Sequence, residues 1–360
     1  MATMLESPAR RARPAAVTCH GNFSIREARR VVQDLFEPDA RVYWADFLIS
    51  ITIAYVAYGL VAALPAFSVW QVAAYVVACL AIYRAALFTH ELVHLKGERF
   101  LAFRFVWNAL CGVPFLMPSF TYYTHVAHHS RKHYGTTEDG EYLPLGAEPA
   151  WHLATYLTQP FYLPLAALLR FAVFSPIAWA SPGFRRFVRQ RMSSMIMDPS
   201  YVRPLPTEKE LRYWRVQEVA CFVFAMSILA LLLTGALPWT FLLQAYAIGV
   251  GVLGINHIRT MGAHRFTHTG EELSFVDQLL DSVNYPNHAI LSELWAPVGL
   301  RFHALHHLFP SMPYHSLAEA HRRLMRELPA DSPYRQTVSP GLTHTLYQLW
   351  RNARAASRAA

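Results

Sequence analysis

Three short stretches of the sequence gather histidine in patterns that can hold a metal ion: HELVH at 90–94, HVAHH at 125–129 and HALHH at 303–307. Residues three and four apart share one face of a helix, so each stretch can aim two or three imidazoles at one point. The first supplies His90 and His94, the second His125, His128 and His129, the third His303, His306 and His307. The chain has 18 histidines, so a single triplet would mean little; the repetition of His-x-x-His-His carries the weight. These eight imidazoles, with one or two more near His257 and His264, divide naturally between two metal ions with four or five each, leaving positions open for a small molecule. Thiolates are absent from the pattern and carboxylates few, so the set suits iron, with zinc or copper as the other options. A pair of irons can reduce oxygen (O2) and generate an oxidant able to take hydrogen from an unactivated C–H bond.

HELVH also matches H-E-x-x-H, in which two histidines bind zinc and the glutamate is the general base of a protease. The match extends through Gly97 and stops where the longer pattern needs a third histidine and this chain has Phe100. A protease uses one zinc with three protein ligands and an open position, and has no use for two further clusters. A membrane zinc metalloprotease is therefore the more distant alternative. Glu91 lies about 100° around the helix from the face shared by His90 and His94, so it is expected to meet a neighbouring group or solvent.

The elements that position these residues belong to a chain of 360 residues that is 54% hydrophobic and 16% charged, against roughly 25% charged in soluble domains. That balance predicts a membrane protein. No charged residue occurs from Phe47 to Tyr83 or from Val219 to Ile258, and each run is broken near its middle, by ALPAFS at 63–68 and TGALP at 234–238. Each has room for two helices of the about 20 residues that a span requires, joined by a tight turn. The expected fold is an all-α integral membrane protein with four transmembrane helices in two hairpins and a cytoplasmic helical cap carrying the histidine clusters. Lys and Arg are missing from both turns and concentrate in the N-terminal tail, the segment Lys96 to Arg215 and the C-terminal third. The positive-inside rule puts those three regions, both termini and every histidine cluster in the cytoplasm.

The apolar segments 100–120 and 154–180 are interrupted by Arg, Pro or Asn, which predicts interfacial or re-entrant helices. The chain divides into a tail (1–41), a membrane domain (42–315) and a C-terminal helical tail (316–360), where LAEAHRRLMREL reads as an amphipathic helix with His321 on its surface. The net charge of +8 suits a surface of anionic headgroups, and no reading helix or stacking sheet for nucleic acid is present. Cys19, Cys79, Cys111 and Cys221 form no C-x-x-C pair, which argues against an iron–sulfur site or a zinc ribbon. The first twenty residues carry Arg10, Arg11 and Arg13 but lack the apolar stretch of a secretory signal.

HELVH, HVAHH and HALHH, in this order around two membrane hairpins, resemble the three histidine boxes of the membrane fatty acid desaturase superfamily, over roughly residues 43–315. The resemblance implies two iron ions that use oxygen to introduce a double bond into the acyl chain of a fatty acid or lipid. Hydroxylation or ketolation of a lipid or hydrocarbon on the same diiron scaffold is the alternative, if hydroxyl transfer outruns loss of the second hydrogen. GTTEDGEYLP, after the second box, is similar to the acidic tract of such proteins and implies Asp139 as a carboxylate that orients a ligand imidazole. Stearoyl-CoA-type members have an Asn and, four residues later, a His after the fourth span. Here NHIRTMGAHRFTH puts Thr260 four residues after Asn256, leaving His257 and His264, seven apart and nearly on one helical face, with His264 preferred. His133, His268, His288 and His315 are expected to make ordinary polar contacts. Electrons must come from an external donor of ferredoxin, rubredoxin or cytochrome b5 type docking on the basic face, because the chain has neither an iron–sulfur cysteine set nor a dinucleotide fingerprint.

Overall fold

The first charge-free run folds into a helical hairpin because short polar side chains start both of its helices and a proline turn separates them. The structure, a computed structural model, describes residues 23–95 and 97–359; Cys19, Lys96 and the tail arginines Arg10, Arg11 and Arg13 lie outside the described residues. After the short α1 (Ile25–Val31), α2 (Ala40–Ala63) begins at Asp39, whose carboxylate accepts the Arg41 N–H, and α3 (Val69–His94) begins at Ser68, which accepts that of Gln71. Pro65 and the left-handed Phe67 close the turn, and the Gln71 amide donates back to the Val61 carbonyl at 2.9 Å. The helix runs on past Tyr83 to His94, so Arg84 enters it; Asp46 of α2, at 2.6 Å, and Glu293, at 3.1 Å, balance its charge.

α4 (Leu101–Trp107) runs into one wider π turn, Asn108–Gly112, and irregular turns lead to the single turn of α5 (His125–His128). α6 (Trp151–Leu169) accommodates Pro160 and Pro164 and passes through a second π turn, Arg170–Phe174, into α7 (Ser175–Ala180), followed by α8 (Pro182–Arg191). The second charge-free run gives α9 (Glu208–Leu233), opened by a Thr207–Glu210 capping box, and α10 (Thr240–Ala263), with Gly235 at φ 74° in the turn between them. The C-terminal third adds α11 (Phe275–Asp281), α12 (Ala289–Trp295), α13 (His303–Leu308), α14 (Leu317–Glu327) and α15 (Leu342–Ala359). Among the described residues there is no strand, only isolated bridges such as His264 with Ser282 and Asn284 with Phe302.

The hairpins meet where α10 crosses α3: a Cβ on Gly251 would come within 2.6 Å of the Cys79 sulfur and the Tyr75 hydroxyl, so any larger residue would force those side chains to shift. Beneath the first box lies a buried aromatic cluster of Tyr43, Phe47, Phe88, Phe103 and Trp107, packed edge to face as in Phe47–Phe88, 5.7 Å between ring centres. Away from it the apolar windows of α9 and α10 are only 17% and 11% buried. Side chains such as Val216, Leu233 and Leu243 face outward, and so much apolar surface needs an apolar surrounding. Among the described residues five helical stretches are long and apolar enough to cross a membrane: α2, α3, Trp151–Ala180, α9 and α10. The fifth candidate arises because Arg170 interrupts the apolar sequence without interrupting its helix.

The structure corrects the expectation for His321. It is 4% exposed, its Nδ1 bonds the Tyr334 hydroxyl at 2.7 Å, and α14 packs Leu317, Ala320 and Leu324 into the core that also holds Phe88 and Phe103. The helix is amphipathic as read, but its histidine belongs to the inward face. α15 seats Leu349 and Ala353 against a second core with Met261 and Phe266.

Candidate metal centre

His90 and His94 stand one above the other in the last turn of α3. The carbonyls that this helix end leaves open are taken by Arg104, which donates to Leu92 and Leu95 at 3.0 and 3.1 Å. The loop entering α5 is fixed by Asn108, whose side chain donates to Ser119 Oγ at 3.0 Å and accepts the Ser119 N–H at 2.9 Å. α13 presents His303, His306 and His307, and its Leu305 N–H donates to Oδ1 of the fully buried Asn284 at 3.1 Å. His264 follows α10 in extended conformation, φ −131° and ψ 166°. The segment around Asn284 ties that end to α13: the Arg265 N–H donates to Asp281, the Val283 N–H to Ala263, and the Ala304 N–H to Val283.

The histidines converge in two adjoining groups. His90, His94, His125, His129 and His306 each offer a nitrogen within 4.8 Å of all the others, and His128, His264, His303 and His307 do the same. Each His-x-x-His-His is therefore shared: His129 and His306 go to the first group, His128 and His307 to the second. The rings of His129 and His307 are 4.4 Å apart at the border. His257 and Asn256 lie outside both groups. His257 bonds the Leu253 carbonyl and the Gln159 side chain, and Asn256 accepts from Arg259. His133 pairs with Glu138 and His315 accepts the Asp39 N–H, also outside the groups.

Inside the groups the Nε2 atoms face one another, at 2.8 Å for His125–His129, 3.0 Å for His129–His306, 2.8 Å for His264–His303, 3.1 Å for His303–His307 and 3.2 Å for His128–His264. Nitrogens at right angles around an ion with bonds of about 2.1 Å stand about 3.0 Å apart, so the spacing suits coordination. The Nδ1 sides are held from behind. His125 meets Glu141 at 2.9 Å, His128 meets Asp139 at 2.8 Å, and His264 meets the Tyr134 hydroxyl at 2.8 Å, which donates its own proton to Asp281 at 2.7 Å. A neutral imidazole that donates through Nδ1 leaves a lone pair on Nε2, the form a metal binds. His90, 3% exposed, has neither ring nitrogen hydrogen-bonded, a state rare for buried polar atoms and one that a cation would relieve.

The charge states agree with this. Burial first, then the neighbouring imidazoles, hold His125, His129, His303, His306 and His307 well below the usual histidine range, so they are neutral. Burial presses on His128 too, but Asp139 outweighs it and raises its pKa. Burial pushes the Glu141 carboxyl up to about 8. The sequence reading passes over Glu141, Tyr134, Asp281 and Asn284. Glu141 has a legible signal, its place two residues after Asp139 in the same acidic tract; the others have none.

Glu91 is 4% exposed, and its Oε2 accepts both the Tyr43 hydroxyl at 2.6 Å and the Tyr314 N–H at 3.3 Å. Its surroundings are protein, not solvent. A carboxylate so engaged is a tether between α3, α2 and the segment after α13, not a base aimed at metal-bound water.

Known proteins resemble the chain over most of its length. The family model described as fatty acid desaturase matches residues 68–338. A ceramide hydroxylase of Caulobacter vibrioides (strain NA1000 / CB15N) is 38% identical over 334 residues, covering 91% of this chain and 93% of that protein.

Proposed function

We propose that this chain, which belongs to the fatty acid desaturase family and is an oxidoreductase of the membrane diiron desaturase and hydroxylase type, hydroxylates a ceramide-type lipid. The likeness to the ceramide hydroxylase, 38% identical over 91% of the chain, carries the choice of hydroxylation; the histidine groups would serve either reaction. Double-bond formation, first in the sequence reading, becomes the alternative.

In this reading His90, His94, His125, His129 and His306 hold one iron and His128, His264, His303 and His307 the other. When bound, the pair supplies oxygen activation for attack on an unactivated C–H bond. The chain's own residues prepare the place: Glu141, Asp139 and Tyr134 fix three imidazoles from behind, and burial shields the set from water and disfavours protonation of its imidazoles, except at His128, where Asp139 outweighs it. Placing one oxygen atom in the C–H bond while the other leaves as water consumes two electrons and two protons. Cys79, Cys111 and Cys221 are free and buried and offer no relay, so an external donor of ferredoxin, rubredoxin or cytochrome b5 type is part of the proposal.

Four crossings rather than five are favoured by contacts of Trp151–Ala180. Gln159 donates to the Met197 carbonyl at 3.1 Å and Arg170 to the Met192 carbonyl at 3.0 Å. About 16 Å of helix separates these two residues, yet both touch one short loop, itself bonded to Thr121 and Gly140 on either side of the second box. A helix that runs along such a loop lies in the leaflet surface. With four crossings every histidine stretch and both termini share one side, the cytoplasmic side by the distribution of Lys and Arg.

The deciding experiment expresses the full chain with an electron donor in a host that makes ceramides and analyses its lipids by mass spectrometry. A new ceramide one oxygen atom heavier is expected. A product two hydrogen atoms lighter, with no oxygenated one, would overturn hydroxylation in favour of desaturation.

A further inference from the structure

Among the described residues four arginines are 9% exposed or less, and three are served by the fold. Arg170 pairs with Glu218 at 2.7 Å, Arg203 donates to the Phe120 carbonyl at 3.0 Å and lies over the Trp214 ring, and Arg301 meets the Pro286 carbonyl at 3.3 Å and Glu293 at 3.4 Å. Arg259 is different. It is 8% exposed and lies in the last turns of α10, on the way to His264. Its Nη2 donates to Asn256 Oδ1 at a long 3.2 Å, its Nε is buried with no hydrogen-bond partner, and among the described residues no carboxylate pairs with it. The phenols of Tyr83, Tyr122 and Tyr156 are its polar surroundings. Tyr122, one of these phenols, stacks on the His125 ring of the first histidine group with ring centres 4.8 Å apart, and the helix that carries Arg259 ends at His264 of the second.

A guanidinium carries five donors and no acceptor, and withdrawing it from water is tolerable only where anions or acceptor oxygens take those donors. Here the fold supplies the Asn256 oxygen and a contact with the Tyr83 hydroxyl, and leaves Nε with neither. Cations held in the two histidine groups would raise the demand for a negative or strongly polarised oxygen at this point. We propose that Arg259 anchors a carbonyl oxygen of the lipid substrate, the amide carbonyl of the ceramide-type lipid in the reading above, on which this inference rests. An amide held at Arg259 puts carbons near the polar linkage, rather than the distant tail, against the histidine groups. The residue is thus a determinant of which carbon reacts, and not only of affinity.

The test uses detergent-solubilised, iron-loaded full-length protein and two uncharged probes: a ceramide, and an ether-linked analogue with the same chains but no carbonyl. Binding is read by titration. The unaltered protein is expected to favour ceramide by at least about tenfold, the scale of one hydrogen bond from a charged donor. Arg259→Gln is expected to lose that preference while keeping its iron content and its affinity for the analogue, and Arg259→Lys to restore part of it. During turnover, Arg259→Gln should also spread the product over more than one carbon. Equal binding of the two probes by the unaltered protein overturns the anchor without any variant having to fold, and so does full preference retained in Arg259→Gln. A preference that depends on Arg259 but yields no oxygenated product leaves the anchor standing and overturns hydroxylation instead.

Discussion

Asp139 and Glu91 are both buried carboxylates one step from the histidines, and their partners give them different work. Asp139 fixes the His128 ring from behind at 2.8 Å, so Asp139→Asn is expected to weaken metal retention in the second group by about 10- to 100-fold. Iron per chain should fall from about two toward one after mild chelation, a measurement that needs no assay of activity. Glu91 bonds Tyr43 and the Tyr314 backbone, and Glu91→Gln keeps an acceptor for both. That variant should hold its iron and at least about a tenth of its activity. Complete loss of activity with metal retained would revive the protease reading, in which the glutamate is indispensable. At this scale the sequence discloses which histidines gather, because helical spacing by itself stacks His90 on His94 and His303 on His307. It does not disclose Asp281, which lies 3.5 Å from His264 Nδ1 and accepts the Tyr134 hydroxyl bonded to the same ring, because that arrangement depends on how distant segments cross.

Elements were legible to the extent that one kind of force shapes them. The two hairpins follow from apolar length and turn residues, and the structure forms them at 40–94 and 208–263. Amphipathic pieces were harder, since pattern alone does not say which face another element will cover, and α14 illustrates the difficulty at His321. Burial first, then Arg301, lowers its pKa to about 4, against an unfolded value of about 6.5. Between those values the unfolded chain takes up a proton that the folded one refuses, so stability declines as pH falls from about 6.5 to about 4, by up to about 3 kcal/mol. Above that window the group has no effect on the pH dependence. His321→Gln should flatten this acid limb in thermal unfolding curves, and His321→Ala should lower stability at neutral pH by about 2 kcal/mol through the lost bond to Tyr334 and the space left behind. Reporter fusions address the membrane elements: tags at the N-terminus, near Gly183 and at the C-terminus are expected on one side, and tags near Pro65 and Ala236 on the other. A tag near Gly183 on the same side as Pro65 would mean that Trp151–Ala180 crosses after all.

For the whole molecule, the proposal makes the chain one half of an electron-transfer couple. Purified protein with reduced nicotinamide alone is expected to show no steady turnover, and addition of a reductase with its ferredoxin, rubredoxin or cytochrome b5 to restore it. Sustained activity without such a donor would require an electron path that the three buried cysteines do not offer.

The sharing of each histidine triplet between the two groups has a bearing on biosynthesis. The first group lacks His306 and the second lacks both His303 and His307 until α13 has been made, although His90 and His94 are translated early. Chains leave the ribosome N-terminus first, so both hairpins can enter the bilayer before either set of imidazoles is closed. A single late turn of helix then completes the two together. A chain arrested before His303 would carry its membrane anchor with four of the five histidines of the first group and two of the four of the second.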